Sequence, residues 1–235
     1  MASPYFYFDH LATMADEFLL NENSSRHIVQ VLRMQPGAEL RLTNGKGMLV
    51  TATILEANKK RCQVRMLQKT VGEPPKRRVQ IALSVLKNVS RFEWFLEKAT
   101  ELGVSDIFPL KTSRTEKQQI RSERLQSILE SALIQSQQVW MPVIHDLQNF
   151  SQWVVKVQAD QKFVAHCAEG TKRRLSEMVN TNLSSQLILI GPEGDFTEEE
   201  IRLALENRFI AVELGDNRLR SETAALAAAA ILKLL

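Results

Sequence analysis

The sequence predicts an α/β protein in which a small, mostly β N-terminal module precedes a larger domain built on a largely parallel sheet. Three observations predict this class. An Asn-Gly turn near residue 44 separates two strand-like runs. A Pro-Pro pair at residues 74–75 leads into three successive cations, which is typical of a linker. Beyond it, strand-like and helix-like segments alternate, as they do in βα units.

The N-terminal module is predicted to consist of a helix and a hairpin with a further strand. Apolar residues at 28, 31 and 32 have helical spacing, and Pro36-Gly37 would end that helix. Asn44-Gly45-Lys46-Gly47 provides the turn of the hairpin, because Asn-Gly tolerates the positive φ that tight turns demand. The predicted elements are a helix over 25–33 and strands over 38–43, 48–55 and 62–68.

The larger domain is predicted to begin after a linker over residues 71–78, where two prolines resist both helix and central strand. Gly103 is expected to stop the first helix of the domain. The predicted strands are 79–86, 105–110, 162–167, 187–190 and 211–214, and the predicted helices are 92–102, from about Ile120 to Val139, 172–179, 198–207 and an alanine-rich C-terminal segment.

Composition excludes several classes of protein. No apolar run approaches the roughly 18 residues of a membrane span, and residues 1–10 lack the basic start and apolar stretch of a signal peptide, so we expect a cytoplasmic protein without membrane contact. Cys62 and Cys167 are distant in sequence and show no zinc-ligand spacing, so no disulfide and no metal are expected. Residues 1–72 carry 9 Lys and Arg against 6 Asp and Glu, which is consistent with a polyanion partner or simply with a solvated surface.

Two glycine-containing loops follow predicted strands, and each leads directly into a helix. They are GPEGDF at residues 191–196 and GDNRLR at residues 215–220. Parallel sheets bind ligands where loops leave the carboxyl ends of their strands. Thr197 with Glu200 forms a capping-box pattern, and Ser221 is a candidate cap of the last helix. Well-formed turns without a ligand would give the same pattern.

The composition of these loops argues against a phosphate ligand. Neither a P-loop nor an early GxGxxG is present, and Glu193 and Asp195 would repel phosphate. Exposed backbone groups around glycine can bind an adenine edge and a ribose without side-chain clash. S-adenosylmethionine has those groups together with a sulfonium cation, and it therefore fits better.

Residues 187–201, LILIGPEGDFTEEEI, and residues 214–226, LGDNRLRSETAAL, closely resemble the two C-terminal signature segments of the RsmE-type ribosomal RNA methyltransferases of the SPOUT superfamily. Further matches extend over most of the chain. They are Arg26-His27-Ile28, Val31-Leu32-Arg33, Lys87 with Arg91, residues 98–104, Ser113-Arg114, and Gln135-Ser136 followed by Pro142.

The resemblance implies a PUA-like, RNA-binding β-barrel over residues 1–72 and a SPOUT (α/β-knot) methyltransferase domain over residues 73–235 with a C-terminal trefoil knot. It also implies a homodimer that uses S-adenosylmethionine to methylate uridine N3 in 16S rRNA of the assembled small ribosomal subunit. The implied cofactor-binding residues are His166, Ala168, Glu169, Ile190, Gly191, Pro192, Glu193, Gly194, Leu214, Gly215, Leu219, Arg220, Ser221, Thr223 and Ala224.

Methylation of uridine N3 requires removal of a proton or stabilisation of the uracil anion. Glu222 and Arg220 are the candidates for these two roles, and Arg114, reaching across a dimer interface, is a third catalytic candidate. Two structural alternatives stay open. Glu222 could be a first-turn carboxylate favoured by the helix dipole, and Arg220 could form an ion pair with Glu193 or Glu222.

The candidate RNA contacts are cations and one histidine, and a solvated surface is the alternative for each of them. They are Arg26, His27, Arg33, Lys46, Lys87 and Arg91, with Lys59, Lys60, Arg61 and Arg114 as further residues to test.

The chain departs from the family pattern at three places. Asp195 stands where a second glycine is common, although Asp adopts positive φ less readily than Gly. Asn217-Arg218-Leu219-Arg220 replaces an Ile-Leu before the arginine, and Gln137-Gln138 lacks the usual arginine. Rival hypotheses are a SPOUT enzyme that acts on a ribose 2′-hydroxyl or on transfer RNA, and a non-catalytic RNA-binding protein.

Overall fold

The computed structural model describes residues 3–116 and 121–235, and the chain divides into two compact units. The first comprises Met1–Pro74 together with Leu133–Met141, and the second comprises Pro75–Ala132 and Pro142–Leu235. No sequence pattern indicated that residues 133–141 belong with the N-terminal unit. Over the described ranges, no helix combines the length and the apolar character that crossing a bilayer requires.

The first unit is built on a five-stranded sheet. Its elements are β1 (Tyr5–Tyr7), β2 (Glu17–Leu19), α1 (Glu22–Arg26), β3 (Glu39–Thr43), β4 (Met48–Glu56) and β5 (Gln63–Val71). The predicted hairpin is confirmed, since β3 and β4 pair antiparallel with Leu42 opposite Val50, and β5 continues the antiparallel ladder. The sequence analysis did not predict β1 and β2, each only three residues long. The order of the strands in the sheet is β1-β3-β4-β5-β2.

The helix predicted over residues 25–33 differs in its bounds and its type. It begins earlier, as α1, and continues as a π-helical turn over His27–Val31. Arg33 at a φ of 52° reverses the chain, so the helix ends before Pro36-Gly37 and not because of it. Ile28 is fully buried in the core of this unit, which the inward side chains of the strands also form.

The Asn-Gly turn connects β3 and β4 and also holds the added segment 133–141. The Asn44 Oδ1 atom accepts hydrogen bonds from the backbone N–H groups of Lys46 (2.8 Å) and Met48 (3.1 Å), which fixes the turn. Gly47 N–H then donates to the Val139 carbonyl at 2.7 Å, and Met141 N–H donates to the Gly45 carbonyl at 2.8 Å. These backbone bonds explain why residues 133–141 fold with the N-terminal unit.

The second unit contains an eight-stranded sheet. Its strands are β6 (Arg78–Ser84), β7 (Asp106–Lys111), β8 (Val143–Ile144), β9 (Gln148–Asn149), β10 (Gln161–Ala165), β11 (Arg173–Arg174), β12 (Ser185–Ile190) and β13 (Ile210–Glu213). All of its pairings are parallel, which confirms the predicted sheet type. The strands follow the order β11-β13-β10-β12-β6-β7-β8 across the sheet, and β9 pairs with β7. The helices are α2 (Val89–Glu101), α3 (Ser122–Gln135), α4 (Phe150–Val154), α5 (Leu175–Met178), α6 (Glu198–Glu206) and α7 (Ser221–Leu234).

Several predicted bounds are wrong for identifiable reasons. The linker predicted over 71–78 is shorter, because Val71 ends β5 and Arg78 begins β6. The helix predicted from Ile120 to Val139 ends at Gln135, since Gln137 has a φ of 56°, and its predicted start lies outside the described residues. The helix predicted over 172–179 keeps only α5, because residues 173–174 pair with β13 as β11.

Helices cover both faces of the sheet and leave the strand ends free. Ala82, Leu187 and Leu189 pack in one core with residues of α4 and α6. On the other side α7 contacts β6, β12 and α2, and its buried alanines 225, 228 and 229 allow a close approach. The loops after β10, β12 and β13 therefore emerge together at one edge of the sheet.

We predict that Gly47→Ala destabilises the protein by about 3 kcal/mol or more, because overpacking and positive-φ strain each cost roughly 1–3 kcal/mol. An added Cβ would lie 2.8 Å from Cε2 of the Trp140 indole, at a φ of +91°. Urea unfolding followed by tryptophan fluorescence measures the loss.

Gly37→Ala is the matched control, since Gly37 has a similar φ of +88° but no atom within 4 Å of an added Cβ. Its expected cost is about 1 kcal/mol, from backbone strain alone. Equal destabilisation by the two substitutions would contradict the role assigned to the Trp140 contact.

Candidate active site

A cavity of about 530 Å³ lies at the carboxyl ends of β10, β12 and β13. Small-molecule sites typically occupy roughly 300–1,000 Å³, so the cavity is of the right size for one organic ligand. Three chain segments form its walls, each following one of those strands. The lining residues are Ala165, His166, Cys167, Lys172, Ile190, Gly191, Pro192, Glu193, Asp195, Val212, Glu213, Leu214, Gly215, Asp216, Asn217, Arg218, Leu219, Arg220, Ser221 and Ala224.

Most of the cofactor-binding residues predicted from the sequence line this cavity, and four of them do not. The four are Ala168, Glu169, Gly194 and Thr223. Val212 and Glu213 were not predicted to line the site, although their position at the end of a parallel strand could have indicated it. Lys172 carried no signal, since its position depends on tertiary contacts. Asp195, Asp216, Asn217 and Arg218 also line the cavity and lie in the two glycine-containing loops identified from the sequence, and Cys167 lies between the predicted residues His166 and Ala168. Ala165, the last residue of β10, was not predicted.

The loop over residues 191–196 is held by the loops that follow neighbouring strands. After β6, the backbone N–H of Lys87 donates to Glu193 Oε1 at 3.1 Å. After β7, the Arg114 guanidinium donates to the Gly194 carbonyl at 2.5 Å. After β10, the Cys167 N–H donates to Asp195 Oδ2 at 2.7 Å. The loop is therefore fixed from both sides.

The capping box predicted at the start of α6 is confirmed, and its glutamate has a second role. Glu200 N–H donates to Thr197 Oγ1, and Glu200 Oε2 accepts from Thr197 N–H at 2.9 Å. Such caps contribute about 1 kcal/mol. The other carboxylate oxygen, Oε1, accepts from Ser113 N–H at 2.8 Å, so this buried side chain also fixes the loop after β7.

The cap predicted for Ser221 is wrong. Arg220 occupies the N-cap position of α7 in an extended conformation, and no side chain caps the helix there. Ser221 is the first helical residue and lines the cavity. The Arg220 side chain therefore does not cap the first-turn N–H groups of α7, which lie beside the cavity.

Close packing favours glycine at residue 191. A Cβ on Gly191 would lie 3.1 Å from the Phe196 backbone nitrogen and 3.3 Å from the Asp195 carbonyl carbon. Gly215 has a φ of +145° with open space around an added Cβ, so there it is the backbone conformation that favours glycine.

Burial lowers the pKa of His166 below its ordinary value of 6.5, and the nearby positive charge of Lys172 lowers it further. The negative charge of Asp195 acts in the opposite direction and is the smaller effect. His166 Nδ1 is buried and has no hydrogen-bond partner among residues 3–116 and 121–235. The cavity wall therefore presents a neutral imidazole with one free polar atom.

Arg218 and Arg220 are both exposed and line the cavity. Within the described part of the chain, neither has a carboxylate oxygen within 4.0 Å. The ion pair considered for Arg220 is therefore not formed with Glu193 or Glu222. Two guanidinium groups are left available to an anionic or carbonyl-bearing ligand.

Glu222 is buried beside the cavity but does not line it. Its Oε1 lies 3.5 Å from Arg91 Nε, and its Oε2 is buried without a hydrogen-bond partner in the part of the chain that the structure describes. This ion pair therefore joins Glu222, a predicted catalytic residue, to Arg91, a predicted RNA-binding residue. Arg114 does not line the cavity, and its guanidinium contacts backbone carbonyls of the loop over 191–196.

Several candidate RNA contacts already have acidic partners. Arg26 pairs with Glu22 at 2.6 Å, Lys46 with Asp9 at 2.8 Å, and Lys87 with Glu116 at 2.9 Å. The hydrogen bond from Lys46 lowers the pKa of Asp9, and the hydrogen bond to Glu116 raises the pKa of Lys87. The His27 ring meets Phe6 edge to face, and residues 59–61 lie in an exposed turn, as does Arg33.

The cavity fits the S-adenosylmethionine that the resemblance implies. It offers an unpartnered imidazole nitrogen, close-packed glycine backbone, and the N–H groups at the start of α7. Of its carboxylates, Asp216 and Glu213 face the Arg174 guanidinium, at 2.8 and 3.9 Å, so their charge already has a partner. Among residues 3–116 and 121–235, no group of three or more His, Cys, Asp or Glu side chains is arranged to hold a metal ion.

Two family models match the chain. One describes an RNA methyltransferase domain and matches residues 73–233, and the other describes an RNA methyltransferase PUA domain and matches residues 20–67. The first contains the whole cavity.

Individual relatives agree with these models. The ribosomal RNA small subunit methyltransferase E of Synechocystis is 31% identical over 84% of this chain and 66% of its own length. A solved structure of a probable rRNA-methyltransferase from Porphyromonas gingivalis is 33% identical with a TM-score of 0.90, covering 98% of each chain. The ribosomal RNA small subunit methyltransferase E of Neisseria gonorrhoeae, solved bound to S-adenosyl methionine, is 28% identical with a TM-score of 0.85, over 99% of this chain and 98% of that one.

We predict that His166 titrates below 6.5, because burial disfavours its charged form. The unfolded chain then binds more protons than the folded one as the pH falls through about 6.5, so His166 makes folding less favourable at acid pH. Proton NMR of the imidazole Cε1–H, assigned with His166→Asn, measures the pKa. A value of 6.5 or higher would contradict the burial argument.

Proposed function

The chain belongs to the RNA methyltransferase domain family, and from this premise we propose that it uses S-adenosylmethionine to methylate uridine N3 in 16S rRNA of the small ribosomal subunit. The observation that carries the proposal is the cavity at the carboxyl ends of three parallel strands, lined by both signature segments. S-adenosylmethionine would supply a methyl group activated by a sulfonium.

The residues proposed to hold the cofactor are those of the three loops. The His166 imidazole and the backbone around Gly191 and Leu214 would bind the adenosine part, because they combine free polar atoms with close-packed backbone. Ala168 would contribute through the loop that carries it and Thr223 through the first turn of α7, since neither lines the cavity itself.

Arg220 is proposed to stabilise negative charge that develops on the uracil ring. It lines the cavity and has no acidic partner in the described residues, so its donors are available to a uracil oxygen. Glu222 is proposed to accept the N3 proton through a water molecule, because its carboxylate does not line the cavity and its Oε2 is buried with no hydrogen-bond partner among the described residues. Arg91 would orient that carboxylate through the 3.5 Å contact with Oε1.

Arg114 is proposed to support catalysis by positioning. Its guanidinium bonds the carbonyls of Gly194 and Phe196 and so fixes one wall of the cavity. A direct contact with substrate across a homodimer interface is the other role predicted for it. Sedimentation at several protein concentrations would establish whether the proposed homodimer forms.

The substrate proposal extends to the partner and the compartment. Assembled small subunits would be the substrate, and the cytoplasm the place where the protein meets them. Exposed cations of the N-terminal unit, including Arg33 and residues 59–61, would contact RNA phosphates. The C-terminal trefoil knot stays a prediction, as does the domain division after residue 72.

The proposal is tested with small ribosomal subunits that lack N3-methyluridine. They are incubated with this protein and methyl-labelled S-adenosylmethionine, digested to nucleosides and analysed by mass spectrometry. We expect labelled N3-methyluridine. A label on a ribose 2′-oxygen, or a label only when transfer RNA is offered, would move the substrate, and cofactor binding without any label would favour a non-catalytic RNA-binding protein.

We predict that Glu222→Gln lowers kcat at neutral pH by about 100-fold, the lower end of what a general base contributes. The loss should shrink as the pH rises, with log kcat increasing by about one per pH unit, because hydroxide then removes the N3 proton. Single-turnover methyl transfer at a series of pH values measures this slope.

Glu198→Gln is the control, since Glu198 is also a first-turn carboxylate, at the exposed start of α6. It should leave kcat unchanged at every pH. A Glu222→Gln variant whose deficit is the same at all pH values would assign Glu222 a structural role only.

A further inference from the structure

We propose that Asp195 is a positioning residue that fastens two walls of the cofactor cavity to each other. The inference rests on the proposed function, because it assigns the cavity to S-adenosylmethionine. The inference goes beyond the proposed function because it assigns a role to Asp195, which stands where the resemblance leads one to expect a second glycine.

The Asp195 carboxylate connects the loops that follow two adjacent strands. Oδ2 accepts the Cys167 N–H at 2.7 Å, and Oδ1 accepts the Phe196 N–H at 2.8 Å. Cys167 follows β10 and Asp195 follows β12, and the last residues of these strands, Ala165 and Ile190, are direct partners in the sheet. The side chain thus continues, beyond the strand ends, a connection that backbone pairing makes within the sheet.

The segment just after β10 depends on side chains for its backbone hydrogen bonds. Residues 166–168 have no regular secondary structure. The carbonyl groups of His166 and Ala168 both accept from Lys172 Nζ, at 2.8 and 2.7 Å, and the intervening Cys167 N–H donates to Asp195. Asp195 and Lys172 therefore hold three successive residues of the wall that carries the His166 ring.

Asp195 adopts a φ of 63°, a left-handed conformation that glycine accepts without strain and other residues seldom adopt. Its own N–H donates to the Pro192 carbonyl at 2.9 Å, which closes the tight turn. Glycine would form this turn more easily, but glycine has no carboxylate. The strained aspartate is explained if the link to Cys167 matters more than the ease of the turn.

The opposite side of the same loop is already fixed. Arg114 holds the carbonyl of Gly194, the residue before Asp195, and Glu193 is bonded to the Lys87 backbone. Loss of the Asp195 carboxylate would therefore free the Cys167 N–H and leave only Lys172 to hold the wall over 166–168, while the loop over 191–194 stays in place. The expected defect is a cavity with one loose wall, and not an unfolded domain.

Three substitutions separate this role from a general effect on stability. Asp195→Gly and Asp195→Ala remove the same two hydrogen bonds, but only alanine keeps a Cβ at positive φ, so the alanine variant should be the less stable of the two. Asp195→Asn keeps one acceptor oxygen, which can accept from the Cys167 N–H while the amide NH2 replaces the acceptor of the Phe196 N–H, and Asn tolerates positive φ. If positioning is the role, cofactor affinity follows the Cys167 hydrogen bond and not the melting temperature.

The test combines calorimetric titration with S-adenosylmethionine, thermal melting, and hydrogen exchange of the Cys167 amide measured by NMR without ligand. For both Asp195→Gly and Asp195→Ala, we expect the Kd to rise about tenfold and Cys167 exchange to accelerate about tenfold, as loss of a charge-assisted hydrogen bond implies. Asp195→Asn should stay within about threefold of the unsubstituted protein in both measurements.

Unchanged Cys167 exchange in the glycine variant would overturn the inference, and so would an asparagine variant as weak in binding as the glycine one. An affinity that declines in step with the melting temperature would overturn it as well. If the unsubstituted protein fails to bind S-adenosylmethionine, the proposed function fails, and Cys167 exchange alone then decides whether Asp195 fastens the wall.

Discussion

The parallel pairing of β12 with β10 on one side and β6 on the other is the constraint on which the site depends. Parallel strands bring their carboxyl ends to one edge, so the loop after β12 must lie between the loops of its neighbours. Hydrogen bonds made by Lys87, Arg114 and Cys167 then fix that loop from both sides. The cavity is a consequence of this arrangement.

Local sequence patterns were sufficient to predict the elements that produce this edge. Alternation of strand-like and helical segments gave the parallel sheet, and the capping box at Thr197 and Glu200 marked the start of α6. Gly191 and Gly215 marked the two loops in the sequence. Close packing favours glycine at residue 191, and the backbone conformation favours it at residue 215. These features depend on neighbours in sequence, which a sequence displays directly.

The features that sequence reasoning missed depend on residues that are distant along the chain. Lys172 lines the cavity because it bonds backbone carbonyls after β10, and Glu222 meets Arg91 from another helix. The segment over 133–141 joins the N-terminal unit through backbone bonds to the 44–47 turn, and periodicity alone assigned it to a longer helix. The conformation at Asp195, which the sequence left open, is the left-handed one.

The central claim is that the cofactor binds between the loops that follow β10, β12 and β13. Ultraviolet crosslinking of radiolabelled S-adenosylmethionine to the full-length protein, followed by peptide mapping, tests it most directly. We expect the label in peptides that contain residues 165–172, 190–195 or 212–224, and competition by unlabelled cofactor. A competable label found only outside these peptides, for example in the N-terminal unit, would contradict the claim.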